Sequence, residues 1–154
     1  IQTNKIGLIV KNSYLVHSVD REKVVKKMDL ESKKINKTQK VLVQVNISGE
    51  ASKSGIFPGD ADEFLHFVDS FDNLELAGLM FMPNINQDKA SHIKEIKDSV
   101  ALFKDMKSKR RNIQVLSLGT SSDYKECIKA GSNLIRVGEI LFGPRLWFII
   151  QSYE

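Results

Sequence analysis

Residues 116–145 read LSLGTSSDYKECIKAGSNLIRVGEILFGPR. Two short apolar runs each end on a glycine, Gly119 and Gly138, and each glycine opens onto the start of a helix. The first turn carries Thr120, Ser121, Ser122 and Asp123, and the second carries Glu139 and Ile140. The first N–H groups of a helix have no partner within it, and the helix dipole is positive at that end. Two such starts side by side make an anion cradle. Between them Arg136 interrupts an apolar strand. Strand alternation puts Leu134, Arg136 and Gly138 on one face, Ile135 and Val137 on the other. With the apolar pair packed on helices, Arg136 points inward. A buried guanidinium needs an acceptor there, either a carboxylate such as Glu139 or Asp123, or a ligand. The neighbouring cradle favours the ligand.

Outward from this stretch, strands alternate with helices. Lys40–Ile47 (KVLVQVNI) reads as a strand with Val41, Val43, Val45 and Ile47 on one face and Leu42, Gln44, Asn46 and Ser48 on the other. The all-apolar face packs on helices. The face with Gln44 and Asn46 looks inward, where polar groups need partners and so hint at a site. Ser18 or Asp20 is expected to cap a helix running to Lys37. Asp60 is expected to cap one with Phe64, Leu65, Val68 and Phe71 at helical spacing. LELAGLMFM (74–82) is the next strand, with Met80 as core filler and Met82 placed for either core or pocket wall. A long helix to about Lys109 buries Ile93, Ile96, Val100, Phe103 and Met106.

Five βα units result, with strands near 14–17, 41–47, 75–82, 114–118 and 133–137. Alternation of this kind gives an α/β fold with a parallel sheet and helices outside. The expected architecture is a (β/α)8 TIM-type barrel, whose last two βα turns commonly hold a phosphate. GxGxxG and GxxxxGK[ST] are both absent from the sequence, which argues against a dinucleotide fold or a P-loop.

Bulk properties narrow the function classes. The chain has 154 residues, 42% hydrophobic and 27% charged, with a net charge of +4. That suits one domain with a sizeable core. The lysines are spread along helical stretches without interleaved aromatics, so a nucleic-acid surface is not expected. The single cysteine, Cys127, allows no internal disulfide, reads as a packed thiol and fits a reducing cytoplasm. No apolar run reaches the ~18 residues of a membrane span. The start, IQTNKIGLIVKNSYL, has no signal-peptide shape and opens inside a polar motif at Ile1.

The 116–145 run resembles the signature LSLGMSxDxxxAIxxGSxxVRIGxxIFGxR of the pyridoxal phosphate homeostasis protein family (YggS/PROSC), itself similar to the N-terminal barrel of alanine racemase. VNISGEASKSG (45–55), AGLMFMP (77–83) and QTNK (2–5) extend the resemblance over the whole chain, QTNK resembling the end of the family's FIGxLQxNK strand. The resemblance implies one domain over residues 1–154, the later part of a pyridoxal 5'-phosphate (PLP) barrel. Such a barrel takes ~250 residues, so the expectation is that the N-terminal strands are missing.

The resemblance also implies roles. Ser121 matches the serine whose hydroxyl and N–H hold the cofactor phosphate, with Ser122 beside it, and Gly138 and Glu139 match the pair whose N–H groups hold the same phosphate. Arg136 matches the arginine facing the pyridine nitrogen; always protonated, it would keep that nitrogen unprotonated and the ring a weak electron sink. Met82 matches a residue near the ring, and Asn46, Lys53 and Gly55 match a motif taken to shape the pocket mouth.

Three departures stand out. The family's VSKTxP-like motif with its Schiff-base lysine is absent, as is its GENYxQE-like segment, and neither Lys5 nor Lys53 matches that lysine. Glu139 stands where Thr or Ser is common, so its carboxylate should turn away from a phosphate. Thr120 replaces a methionine, with the backbone expected to do the work. The implied function is a cytoplasmic PLP carrier or buffer with no catalytic residue and no metal. PLP, or a phosphate or sulfate ion in its place, is the implied partner, without nucleic acid or membrane, in a monomer or weak dimer. The rival readings are a PLP-dependent amino-acid racemase and a phosphate-binding protein with no cofactor.

Overall fold

Strand β2 (Gln39–Val45) anchors the molecule, and its two faces separate as alternation requires. Val41, Val43 and Val45 join one continuous apolar core with Val24, Val25 and Met28 on one helix and Leu65 and Val68 on another. Leu42 is fully buried but lies outside that core, and Gln44 and Asn46 are buried on the same side as Leu42. The structure, a computed structural model, describes residues 1–50 and 53–143. Pro144 and Arg145 of the decisive stretch lie outside the described residues, as do residues 51 and 52.

The chain runs α1 (Ile6–Asn12), β1 (Leu15–Val19), α2 (Glu22–Lys34), β2, α3 (Ala61–Asp69), β3 (Leu74–Phe81), α4 (Lys89–Lys109), β4 (Val115–Thr120), α5 (Tyr124–Ala130), β5 (Leu134–Arg136) and α6 (Glu139–Phe142). The five strands pair in chain order and all in parallel. Parallel crossovers are right-handed, so strands added in one direction keep their helices on one face of the sheet. This winding belongs to a barrel arc; a doubly wound sheet reverses direction. The described strands form an open five-stranded sheet with β1 and β5 at its edges, consistent with the incomplete barrel expected.

Several local expectations change. Thr3–Lys5 of the QTNK motif is a turn of 3-10 helix leading into α1, not a strand end. Neither Ser18 nor Asp20 caps α2; its N-cap is Arg21, and the Asp20 carboxylate accepts from Arg21 Nε at 3.0 Å. Asp60 precedes α3 without a capping bond, and the helix grows from the 3-10 turn Pro58–Asp60. Asp88 does cap, accepting from Ala90 N at 2.9 Å and Ser91 N at 3.0 Å. The stripe of α4 is buried as spaced at Ile96, Val100, Phe103 and Met106, with Ile93 half-buried. Strands β3 and β4 approach closely at Gly78, where a Cβ would lie 1.9 Å from the Val115 carbonyl oxygen.

Candidate functional site

The first glycine corner is built by Gly119 and Asp123. Gly119 has φ +111°, and a Cβ there would lie 2.9 Å from Cys127 Cβ and 3.1 Å from Tyr124 Cα. Only glycine lets β4 turn this tightly against α5. Buried Asp123 then pins the turn: its Oδ1 accepts from Thr120 N at 2.7 Å and Thr120 Oγ1 at 3.0 Å. The Thr120 side chain therefore takes part, contrary to the expectation that only its backbone matters. Ser122 Oγ lies 3.2 Å from Thr120 Oγ1.

The turn brings Ser121 to the second corner. Ser121 Oγ accepts from Gly138 N at 3.1 Å and from Ile140 N at 3.4 Å. Two N–H groups of the second helix start thus converge on a hydroxyl oxygen carried by the first turn. Ser121, Ser122, Arg136, Gly138 and Glu139 line one cleft of about 580 Å³, with Ile85 on its wall. Gly138 has φ −130°, and nothing lies within 4 Å of the Cβ it lacks. The space before it is the cleft itself, so the donor set and the room both suit a phosphate. Glu139 is exposed and forms no ion pair among the described residues.

Arg136 is half-buried, and its donors cross two strands. Nη2 donates to the Phe81 carbonyl at 2.9 Å, and Nη1 donates to Ser117 Oγ. Ser117 Oγ also lies 3.1 Å from His17 Nδ1. Since Ser117 accepts from Arg136, its own proton is left for Nδ1, which accepts only in the neutral ring. Burial, then the Arg136 charge, holds the His17 pKa below its ordinary value, in agreement. Burial also lowers the pKa of Arg136, against the attraction of Asp123. Neither Glu139 nor Asp123 forms an ion pair with Arg136 among the described residues, so the internal salt bridge weighed above is not what holds it.

Met82 is not brought into this cleft. It is 52% exposed just beyond β3 and lines a neighbouring cleft of about 470 Å³ with Gln44, Asn46 and Lys53; Ile85 belongs to both. Asn46 spends its side chain on the following loop, donating to Glu50 O at 2.8 Å and Lys53 O at 3.3 Å and accepting from Ser48 Oγ and Gly49 N. Gly55 (φ +126°) closes that loop, where a Cβ would meet Asn46 N at 2.7 Å. Sequence reasoning missed Ser117 and His92. His92 Nε2 lies 3.2 Å from Asp123 Oδ2, beneath the cradle. Among the described residues there is no group of three or more metal-ligating side chains, and no helix is long and apolar enough to cross a membrane.

This arrangement of parallel strands, glycine corners and inward arginine has relatives. The family model for the alanine racemase N-terminal domain matches residues 1–145. The chain belongs to this family. The resemblance seen in the motifs is borne out within it. A pyridoxal phosphate homeostasis protein of Vibrio alginolyticus is 35% identical over 145 residues, covering 94% of this chain. The chain spans 62% of that relative's length. A crystal structure of an unknown protein from Bifidobacterium adolescentis superposes with a TM-score of 0.86 at 28% identity, covering 92% of this chain and 58% of that one. PipY of Synechococcus elongatus, solved with PLP bound, superposes at 0.81 with 23% identity, covering 93% and 67%; at that identity the likeness is one of fold.

Proposed function

We propose that the cleft between Ser121 and Gly138 holds the phosphate of PLP, and that the protein serves intracellular PLP homeostasis as a carrier or buffer. The observation carrying this is the convergence of Gly138 N and Ile140 N on Ser121 Oγ. Ser121 would hold the phosphate through its hydroxyl and N–H, with Gly138 and Glu139 donating their N–H groups and Ser122 alongside. Arg136 would face the ring nitrogen, and Met82 would stand near the ring from the adjoining cleft. The relatives' names support the homeostatic role, and the Vibrio protein is so named. In this proposal residues 1–154 are one domain of a cytoplasmic protein, and the sheet is an arc of an eight-stranded barrel completed by further strands of a longer chain.

Bound PLP supplies an aldehyde and a ring able to withdraw electrons. Arg136 has donors only and cannot supply the readily lost proton that a strong electron sink needs at the ring nitrogen. Holding without transforming is the behaviour these side chains favour, so we assign no catalytic residue. Equilibrium dialysis tests the reading with PLP and with pyridoxal, which lacks the phosphate. PLP should be retained about a hundredfold more tightly than pyridoxal, given two or three charge-assisted bonds. Ser121→Ala should weaken PLP about tenfold and leave pyridoxal unchanged. Equal retention of the two compounds overturns the phosphate site. Conversion of L-alanine to its D form faster than by free PLP would overturn the non-catalytic role in favour of a racemase.

A further inference from the structure

Ser117 is fully buried in β4, and alternation turns it to the side opposite Leu116 and Leu118, which belong to the apolar core. A hydroxyl shut off from water needs partners, whereas an alanine there would need none. Ser117 has two, and they come from the two edge strands. Nη1 of Arg136 on β5 donates to its Oγ, and Nδ1 of His17 on β1 lies 3.1 Å from the same oxygen. A guanidinium cannot accept, so the single proton of Ser117 goes to His17. The hydroxyl is thereby held with its lone pairs toward Arg136. The edges of the sheet are tied together through a serine oxygen on its inward side.

Arg136 needs such a brace. It ends the short strand Leu134–Arg136, and an arginine side chain has more rotamer freedom to lose than most. Ser117 takes Nη1, and the Phe81 carbonyl takes Nη2 at 2.9 Å. Both acceptors are neutral, and among the described residues neither Glu139 nor Asp123 pairs with the guanidinium. Nε makes no hydrogen bond to any described residue. The side chain is therefore held at its Nη atoms, with a donor and its charge left for the cleft it lines. We propose that Ser117, oriented by His17, is a positioning residue that holds the Arg136 guanidinium against the ligand's ring, so that the cleft recognises a ring nitrogen independently of the phosphate. Ser117 is fully buried, so it acts on a ligand only through Arg136. The inference rests on the proposed PLP site and deepens it.

Two probes separate the parts of the ligand: pyridoxal has the ring without the phosphate, and sulfate has the anion without the ring. Their affinities for the full chain are read by NMR titration, pyridoxal at the Arg136 Nε resonance and sulfate at the Gly138 and Glu139 amides. Ser117→Ala should weaken pyridoxal about tenfold and leave sulfate within about twofold of wild type. His17→Gln, whose amide oxygen still accepts the Ser117 proton, should keep both affinities near wild type. Pyridoxal affinity unchanged in Ser117→Ala overturns the proposal. Sulfate affinity falling in step with pyridoxal shows a purely structural role and overturns it too. Wild-type protein that binds sulfate but not pyridoxal overturns ring recognition and leaves the phosphate site standing. Binding of neither probe overturns the site and this inference together. Should Ser117→Ala not fold, the wild-type guanidinium decides: held at both Nη atoms, Arg136 should give separate Nη resonances, and a single averaged one overturns the proposal.

Discussion

The thiol of Cys127 lies against the cradle turn, fully buried, with its pKa pushed up to about 12 by burial and then by Asp123. Since the thiolate is the reactive form, iodoacetamide at about pH 8 should leave folded Cys127 untouched and label it fully in denaturant; rapid labelling of the native protein would contradict this packing. His17 gives a stability prediction. Its folded pKa lies below the ordinary 6.5, so just below that pH the unfolded chain binds a proton that the folded ring refuses. Stability is therefore lost as pH falls through this window and is unaffected by the ring above it. Urea midpoints should drop less on acidification in His17→Gln than in wild type, and parallel curves would refute the half-buried neutral ring.

At the scale of elements, close approach and capping decide what a substitution costs. Gly78→Ala sets a Cβ on the Val115 backbone, where no rotamer can relieve it, and should cost more than ~4 kcal/mol or prevent folding. Asp88→Ala removes both capping bonds of α4 and should cost about 1 kcal/mol by urea denaturation. The periodicity of β2 and α4 was legible because apolar spacing registers burial directly. The caps were less so. Asp88 caps from extended backbone (φ −63°, ψ 155°), the conformation a capping side chain needs, whereas Asp60 is already helical at φ −93°, ψ −1°. Composition alone does not distinguish two aspartates that differ in ψ.

For the whole molecule, the parallel sheet followed from the strict alternation of strands and helices, whereas the one-directional strand order did not, because a doubly wound sheet alternates in the same way. The cradle was legible because Ser121 and Gly138 sit on successive βα turns, which neighbouring parallel strands carry to the same end of the sheet. The supports of the cradle were not. His17 meets Ser117 across 100 residues of chain, and the His92–Asp123 pair joins two helices with no spacing rule between them. The displacement of Met82 into the next cleft depends on where β3 ends, a detail that alternation does not fix. Every role proposed for the cleft depends on where a phosphate lies, and a crystal structure of the protein with PLP measures it. The phosphate oxygens should lie within hydrogen-bond reach of Ser121 and of the Gly138 and Glu139 N–H groups, with Arg136 beside the ring. A phosphate held anywhere else, with Ser121 Oγ still bonded to Gly138 N, would contradict it.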